Sequence, residues 1–168
     1  MLEQKLADLN LALPELSSGA ASFVGYKRTG NLVFISGQLP LKNGKPSLVG
    51  RLGDGVSIDE AYTAAQQCTL NVLAQLKHAI GGDWSRVVQF VRVGGFVRCT
   101  PDFADSPKVV NGASDLLIQV FGAVGGACAR GSGRELAARQ RAGRNRSHRR
   151  NSLISNRSEK RHEHLRNV

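Results

Sequence analysis

Residues 30–40 read Gly30-Asn31-Leu32-Val33-Phe34-Ile35-Ser36-Gly37-Gln38-Leu39-Pro40, and this stretch decides how the chain around it is read. A run of β-branched and aromatic residues follows a Gly-Asn pair and is closed by Ser36-Gly37 and Pro40, the signature of a short strand between turns. The segment before it, from residue 22, is similarly rich in such residues up to Thr29. The two runs predict a hairpin that turns at Thr29-Gly30-Asn31, with its second strand over 32–36. Gly37, Pro40, Asn43-Gly44 and Pro46 then predict a loop.

The next segment carries the clearest helix signal. Ser57 followed by Glu60 makes a capping box, and Ile58, Ala61, Ala65, Cys68, Val72, Leu76 and Ile80 form one stripe that Gly81-Gly82 ends. A helix over 57–80 is expected, with Cys68 in the core. His78 falls in its last turn, where an imidazole suits the helix dipole, and is read as structural. Residues 87–97 are apolar on both alternating faces, which predicts a central strand, and Gly94-Gly95 within it predicts a bulge or a close backbone approach. Ser106-Pro107 opens a second helix, with Ser as N-cap and Pro at the first helical position. It runs over 107–121 with Val110, Ala113, Leu117 and Val120 inward, and Gly122 stops it. At the other end, Leu2, Leu6, Leu9 and Leu13 predict an amphipathic packing helix that stops at Pro14. Strand, strand, helix, strand, helix is an α+β order, a sheet with two helices packed on one face. Such a sheet needs further strands after the second helix, and the pattern stops supplying them at Gly122.

A chain of 168 residues with 41% apolar content is the size of one domain with one modest core. The net charge of +10 is unevenly spread: 123–168 holds 12 basic and three acidic residues, so 1–122 is close to neutral. All nine aromatic residues lie before Ala123, so 123–168 reads as a basic tail without core residues, expected to be disordered. Cys68, Cys99 and Cys128 are odd in number and widely spaced, against a disulfide framework or a metal site and in keeping with a reducing, cytoplasmic setting. There is no signal-peptide pattern and no apolar run near the roughly 18 residues a membrane helix needs, so no membrane partner is expected.

Spacing alone yields no nucleophile elbow, Walker loop, GxGxxG or HExxH. The informative residues are 30–40 together with Val91-Arg92-Val93, Phe96-Val97, Pro101-Asp102-Phe103 and Val110-Asn111-Gly112-Ala113-Ser114-Asp115-Leu116. In this order and spacing the stretch 22–122 resembles the RidA/YjgF family, also labelled endoribonuclease L-PSP-like, in its branch with an N-terminal helical extension, here 1–14. The resemblance implies a chorismate-mutase-like sheet, a homotrimer with clefts between subunits, and no cofactor. It implies hydrolysis of reactive 2-imino or enamine acids to 2-keto acids and ammonia. In such a cleft an arginine grips the substrate carboxylate and a glutamate orients water. Matched residue by residue, Ser36 and Gly37 correspond to the family's cleft Ser-Gly and Asn111 to a cleft asparagine. Read without the family they are a strand-end turn and a helix-surface amide. Phe23 falls where many deaminating members have tyrosine, which removes a substrate-bonding hydroxyl.

The arginine and glutamate strands belong after Gly122, where neither is readable. Residues 127–146, back-translated and read one base later, are compatible with His-Ala-Arg-Ala-Ala-Val-Gly-Val and, further on, Pro-Val-Glu-Ile-Glu, the pattern that the family carries there. The tail therefore reads as frameshifted, and 1–122 as a RidA-like domain lacking its last strands. Arg130 lies within a residue of the expected substrate-binding arginine and is the one stand-in; no replacement for the glutamate is evident, which implies impaired activity. Two other readings remain open: a non-catalytic small-ligand-binding or regulatory trimer, and an RNA-binding or endoribonuclease-type protein. The Arg-rich tail also suits non-specific nucleic-acid binding, without aromatics to stack on bases.

Overall fold

The first helix, α1 (Leu2–Asp8), buries Leu2 and Leu6. It ends earlier than the Leu spacing and Pro14 suggest, because Asn10 turns left-handed (φ +57) and its N–H bonds Ala7 O while the Leu11 N–H reaches back to Leu6 O at 2.8 Å. That bonding pattern is a Schellman stop with Asn in the position glycine usually takes. Leu11 and Leu13 still pack on the α1 cluster from outside the helix. The computed structural model describes residues 2–16 and 23–134.

The hairpin forms as expected from β1 (Tyr26–Thr29) and β2 (Leu32–Ile35), antiparallel with Thr29 opposite Leu32. Gly30 holds φ +54 at the turn, the left-handed backbone that a two-residue hairpin turn needs. The loop after it contains a second, miniature hairpin, β3 (Leu41–Lys42) with β4 (Lys45–Pro46), closed by Asn43-Gly44 with both φ angles positive. A short parallel pair, β5 (Arg51–Leu52) and β6 (Gly55–Val56), leads into the long helix.

Helix α2 (Ile58–Ala79) has Ser57 as N-cap with both halves of the capping box made: Ser57 Oγ accepts from Glu60 N at 3.2 Å and Glu60 Oε2 accepts from Ser57 N at 2.8 Å. The Ser57 N–H bond, joined by one from the Ser57 hydroxyl to Glu60 Oε2 at 2.7 Å, holds the Glu60 carboxyl below its usual range. Its buried arc is wider than the single stripe in the sequence, because the helix packs on both α3 and the hairpin. Thr69, Leu70, Leu73, Ala74 and Leu76 are buried, while Cys68 and Val72 are half-buried. Burial nonetheless pushes the Cys68 thiol up to about 11, which suits packing and opposes nucleophilic use.

Strand β7 (Arg92–Arg98) is shorter than the 87–97 apolar run. A 3-10 turn at Trp84–Arg86 precedes it, and residues 87–91 are irregular backbone with Val88 and Val91 facing solvent. Phe90 there meets Phe121 edge-on at 4.9 Å. Helix α3 (Ser106–Phe121) begins at Ser106, with Asp105 in the N-cap position and no side-chain cap bond. Gly122 ends it with φ +66.

Beyond Gly122, where the pattern seemed to run out, a 3-10 turn (Gly122–Gly125) leads into β8 (Cys128–Arg134). This strand lies parallel to β7 in unbroken register from Arg92 opposite Cys128 to Arg98 opposite Arg134. The Gly94-Gly95 pair therefore makes no bulge. Gly95 instead marks a close approach, since a Cβ there would meet Val110 Cγ2 of α3 at 2.7 Å, whereas Gly94 opens onto free space. At the α2–α3 contact, a Cβ on Gly112 would run into the Tyr62 backbone carbonyl.

The result is the α+β arrangement read from the sequence. Two helices share one layer, and Val33, Ile35 and Val93 cover the surface made by Leu73, Leu76, Ile80 and Leu117. Each fully buried leucine such as Leu73 or Leu116 contributes on the order of 1.5–3 kcal/mol. Among the described residues no helix is long and apolar enough to cross a membrane.

Candidate functional site

Ser36 extends the β1–β2 ladder by one step. Its N–H donates to Gly25 O at 2.9 Å and its hydroxyl donates to Val24 O at 2.6 Å. The hydroxyl proton is thus committed to the backbone, and what Ser36 Oγ offers a ligand is acceptor capacity. Gly37 follows with nothing within 4 Å of a Cβ position, an open corner; Phe23, one residue before Val24, is 65% accessible. Gln38 Nε2 donates back to Ser36 O at 3.0 Å.

The corner is held from below by a residue that the sequence reading did not single out. Asn71 of α2, buried, donates from Nδ2 to Leu39 O at 2.8 Å and to Leu41 O at 3.1 Å, while its Oδ1 accepts from Gln67 Nε2 at 3.2 Å. A buried amide must find such partners, so an asparagine between Leu70 and Val72 was the available signal.

Asn111 and Arg130 lie on α3 and β8, on opposite sides of the β7–β8 sheet. Asn111 is exposed, one residue past Val110, whose side chain sits against Gly95 and Gly131. Arg130 is exposed on β8 directly opposite Gly94. Paired residues on neighbouring strands point to the same face, so the guanidinium stands beside the free space over Gly94. Cys128 and Ser132 flank it on its own strand, Arg92 and Phe96 on the next. Strands β1, β2, β7 and β8 carry Lys27, Arg28, Arg92, Arg98, Arg130 and Arg134 and not one Asp or Glu. Of these, Arg92, Arg98 and Arg130 fall on one face of β7–β8, while Lys27 and Arg28, consecutive on β1, fall on opposite faces of the hairpin. Asp115 between the helices is engaged by the Tyr62 hydroxyl at 2.8 Å, a bond that raises the Tyr62 phenol.

Ser36 and Gly37 are thus set at one corner, with Phe23 exposed one residue before Val24, whereas Arg130 and Asn111 stand on opposite sides of the β7–β8 sheet and are not brought together. Nor do the described residues contain a His/Cys/Asp/Glu cluster able to hold a metal. The hydroxyl of Tyr26 meets His78 Nδ1 at 2.9 Å, which ties β1 to the end of α2 and keeps His78 in a structural role.

Fold and site together define a class. The model of the family described as "YjgF/chorismate mutase-like, putative endoribonuclease" matches residues 3–131, running past Gly122 into β8, and the chain belongs to that family. It is 37% identical over 117 residues to Protein TCP17 of Trypanosoma cruzi, covering 70% of this chain and 72% of that one. Among solved structures it resembles Atu1372 of Agrobacterium tumefaciens, a protein of unknown function, with 35% identity and a TM-score of 0.73 over 79% of this chain and 80% of that one. It also resembles a "putative endoribonuclease" of Shewanella oneidensis, with 34% identity and a TM-score of 0.75 over 80% and 88% of the two chains.

Proposed function

We propose that this protein is a RidA-like homotrimer whose cleft binds small 2-imino or enamine acids and hydrolyses them, slowly in this chain, to 2-keto acids and ammonia. The observation that carries the reading is Arg130 standing exposed beside the side-chain-free space over Gly94, room for a small carboxylate against a bidentate donor. Ser36 Oγ and the open Gly37 corner supply polar contacts elsewhere on the subunit, and a cleft shared between subunits is what would bring them and Arg130 to one ligand. Slowness follows from the strands themselves: no carboxylate stands on them to orient water, and losing such a group costs on the order of a hundredfold or more.

The second reading, a non-catalytic ligand-binding or regulatory trimer, is favoured by Phe23 in place of a hydroxyl-bearing ring. Ammonia release from 2-iminobutanoate generated in situ separates the two. The expected result is release above the uncatalysed rate, about a hundredfold or more below an intact relative, and lost in Arg130→Ala. Binding of 2-ketobutanoate with no catalysed release would leave only the second reading.

A further inference from the structure

Side chains of β7 and β8 alternate between a face turned to the helices and a face turned away. Val93 and Val97 pack into the core on the first. On the second, Arg92, Gly94, Phe96 and Arg98 stand in register with Cys128, Arg130 and Ser132. Arg130 lies opposite the bare position at Gly94, and Arg92 lies two residues before that position on β7. Strands about 4.8 Å apart, rising about 3.3 Å per residue, set the Cα atoms of Arg92 and Arg130 about 8 Å apart, so both side chains can reach one small ligand. Both arginines are exposed. The ion pairs among the described residues engage Arg51, Lys77 and Lys108 instead, which leaves two neighbouring guanidiniums with no described carboxylate between them. Like charges at diagonal positions of a strand pair repel, and a monoanion answers only one of them.

We propose that Arg92 is a specificity-determining residue and that the ligand of this face is a short 2-imino dicarboxylate, with its 2-carboxylate on Arg130 and its second carboxylate on Arg92. This rests on Arg130 being the carboxylate-holding residue of the proposed function. Each carboxylate takes one guanidinium in paired, charge-assisted N–H···O bonds, and Gly94 leaves the space between them open. The direction follows from what borders Gly94 along β7. Arg92 stands at one end and the ring of Phe96, 77% accessible, at the other, so an acidic ligand side chain is stabilised only toward Arg92. Arg98 lies beyond Phe96, about 14 Å from Arg130 by the same strand spacing, too far to share a short ligand. In the reaction water adds across the C=N bond and ammonia leaves, with both carboxylates unchanged. The product is therefore the 2-keto dicarboxylate, which keeps both anchors.

Equilibrium dialysis of 2-ketoglutarate and 2-ketobutanoate against the full chain tests this with product acids, which bind without reacting. The wild-type chain is expected to hold 2-ketoglutarate about tenfold or more tighter, the worth of one added pair of charged hydrogen bonds. Arg92→Ala should abolish that preference with 2-ketobutanoate binding little changed, and Arg130→Ala should weaken both. Arg98→Ala removes the same charge from the same face and should keep the preference. Equal affinity for the two acids in wild type, with both lost in Arg130→Ala, would overturn the dianionic ligand and leave the proposed function standing. Binding of neither acid would overturn both. A preference that survives Arg92→Ala, or that Arg98→Ala removes equally, would also overturn the proposal, because the attraction would then belong to the diffuse charge of the face and not to two paired sites.

Discussion

Gly94 and Gly95 are sequence neighbours with opposite environments. A methyl on Gly95 has to displace Val110 at 2.7 Å, while one on Gly94 enters open space. Gly95→Ala is expected to destabilise by about 1–3 kcal/mol, and Gly94→Ala to be close to neutral; urea unfolding of the pair checks both, and equal effects would contradict the packing described. Glu3 offers a pH-dependent test. Its carboxylate accepts from Lys77 Nζ at 3.0 Å and Trp84 Nε1 at 3.1 Å, and these bonds, the Lys77 one foremost, lower its pKa from 4.5 to about 2. A folded-state pKa below the unfolded value adds stability that is complete above the unfolded pKa and is lost as pH falls through the folded one. The advantage of wild type over Glu3→Gln in urea melts should therefore be present at pH 6 and gone near pH 2. It should be small, because both partners are about half exposed and solvent screens the pair.

At the scale of elements, the helix start at Ser57 was legible because a capping box is local chemistry: the two residues that make it are three apart and need nothing else from the fold. Ser57→Ala should cost about 1 kcal/mol, read as a lower midpoint in urea with an unchanged slope. The end of α1 was less legible, since Asn10 competes with Pro14 as a stop and only the backbone angle reveals which acts. Strand β8 was not legible at all. Cys-Ala-Arg-Gly-Ser-Gly-Arg has no β-branched or aromatic residue, so propensity argues against a strand. Its backbone bonds to β7 and the closeness of α3 override that. A Cβ on Gly131 would lie 3.0 Å from Val110 Cγ2, and one on Gly133 2.7 Å from Cys99 Sγ, so the very glycines that weaken the strand signal let the layers meet.

For the whole molecule, the strands carry exposed apolar side chains. Leu32, Phe34 and Phe96 are all half or more accessible on the strands, and such surface promotes association. Light scattering is expected to show the chain as written aggregated or weakly associated, and a chain with the frame after Gly122 restored by one base as a compact trimer. A monodisperse trimer of the present chain, with residues 123–168 resistant to proteolysis, would instead make the tail a structural part of the assembly.

Local chemistry alone determined the hairpin, its turn at Gly30, the two long helices and the family to which the chain belongs, because each rests on residues within a few positions of one another or on motifs in fixed order. Ser36, Gly37, Phe23 and Asn111 were legible as candidates only through the resemblance, since none carries a spacing signal of its own. Tertiary structure alone decided that Arg130 stands over Gly94, that Asn71 secures the loop after Gly37, and that β8 exists. Each of these depends on backbone groups brought together from distant parts of the chain, and no pattern along a sequence records which carbonyl a buried amide will reach or which strand will offer an edge.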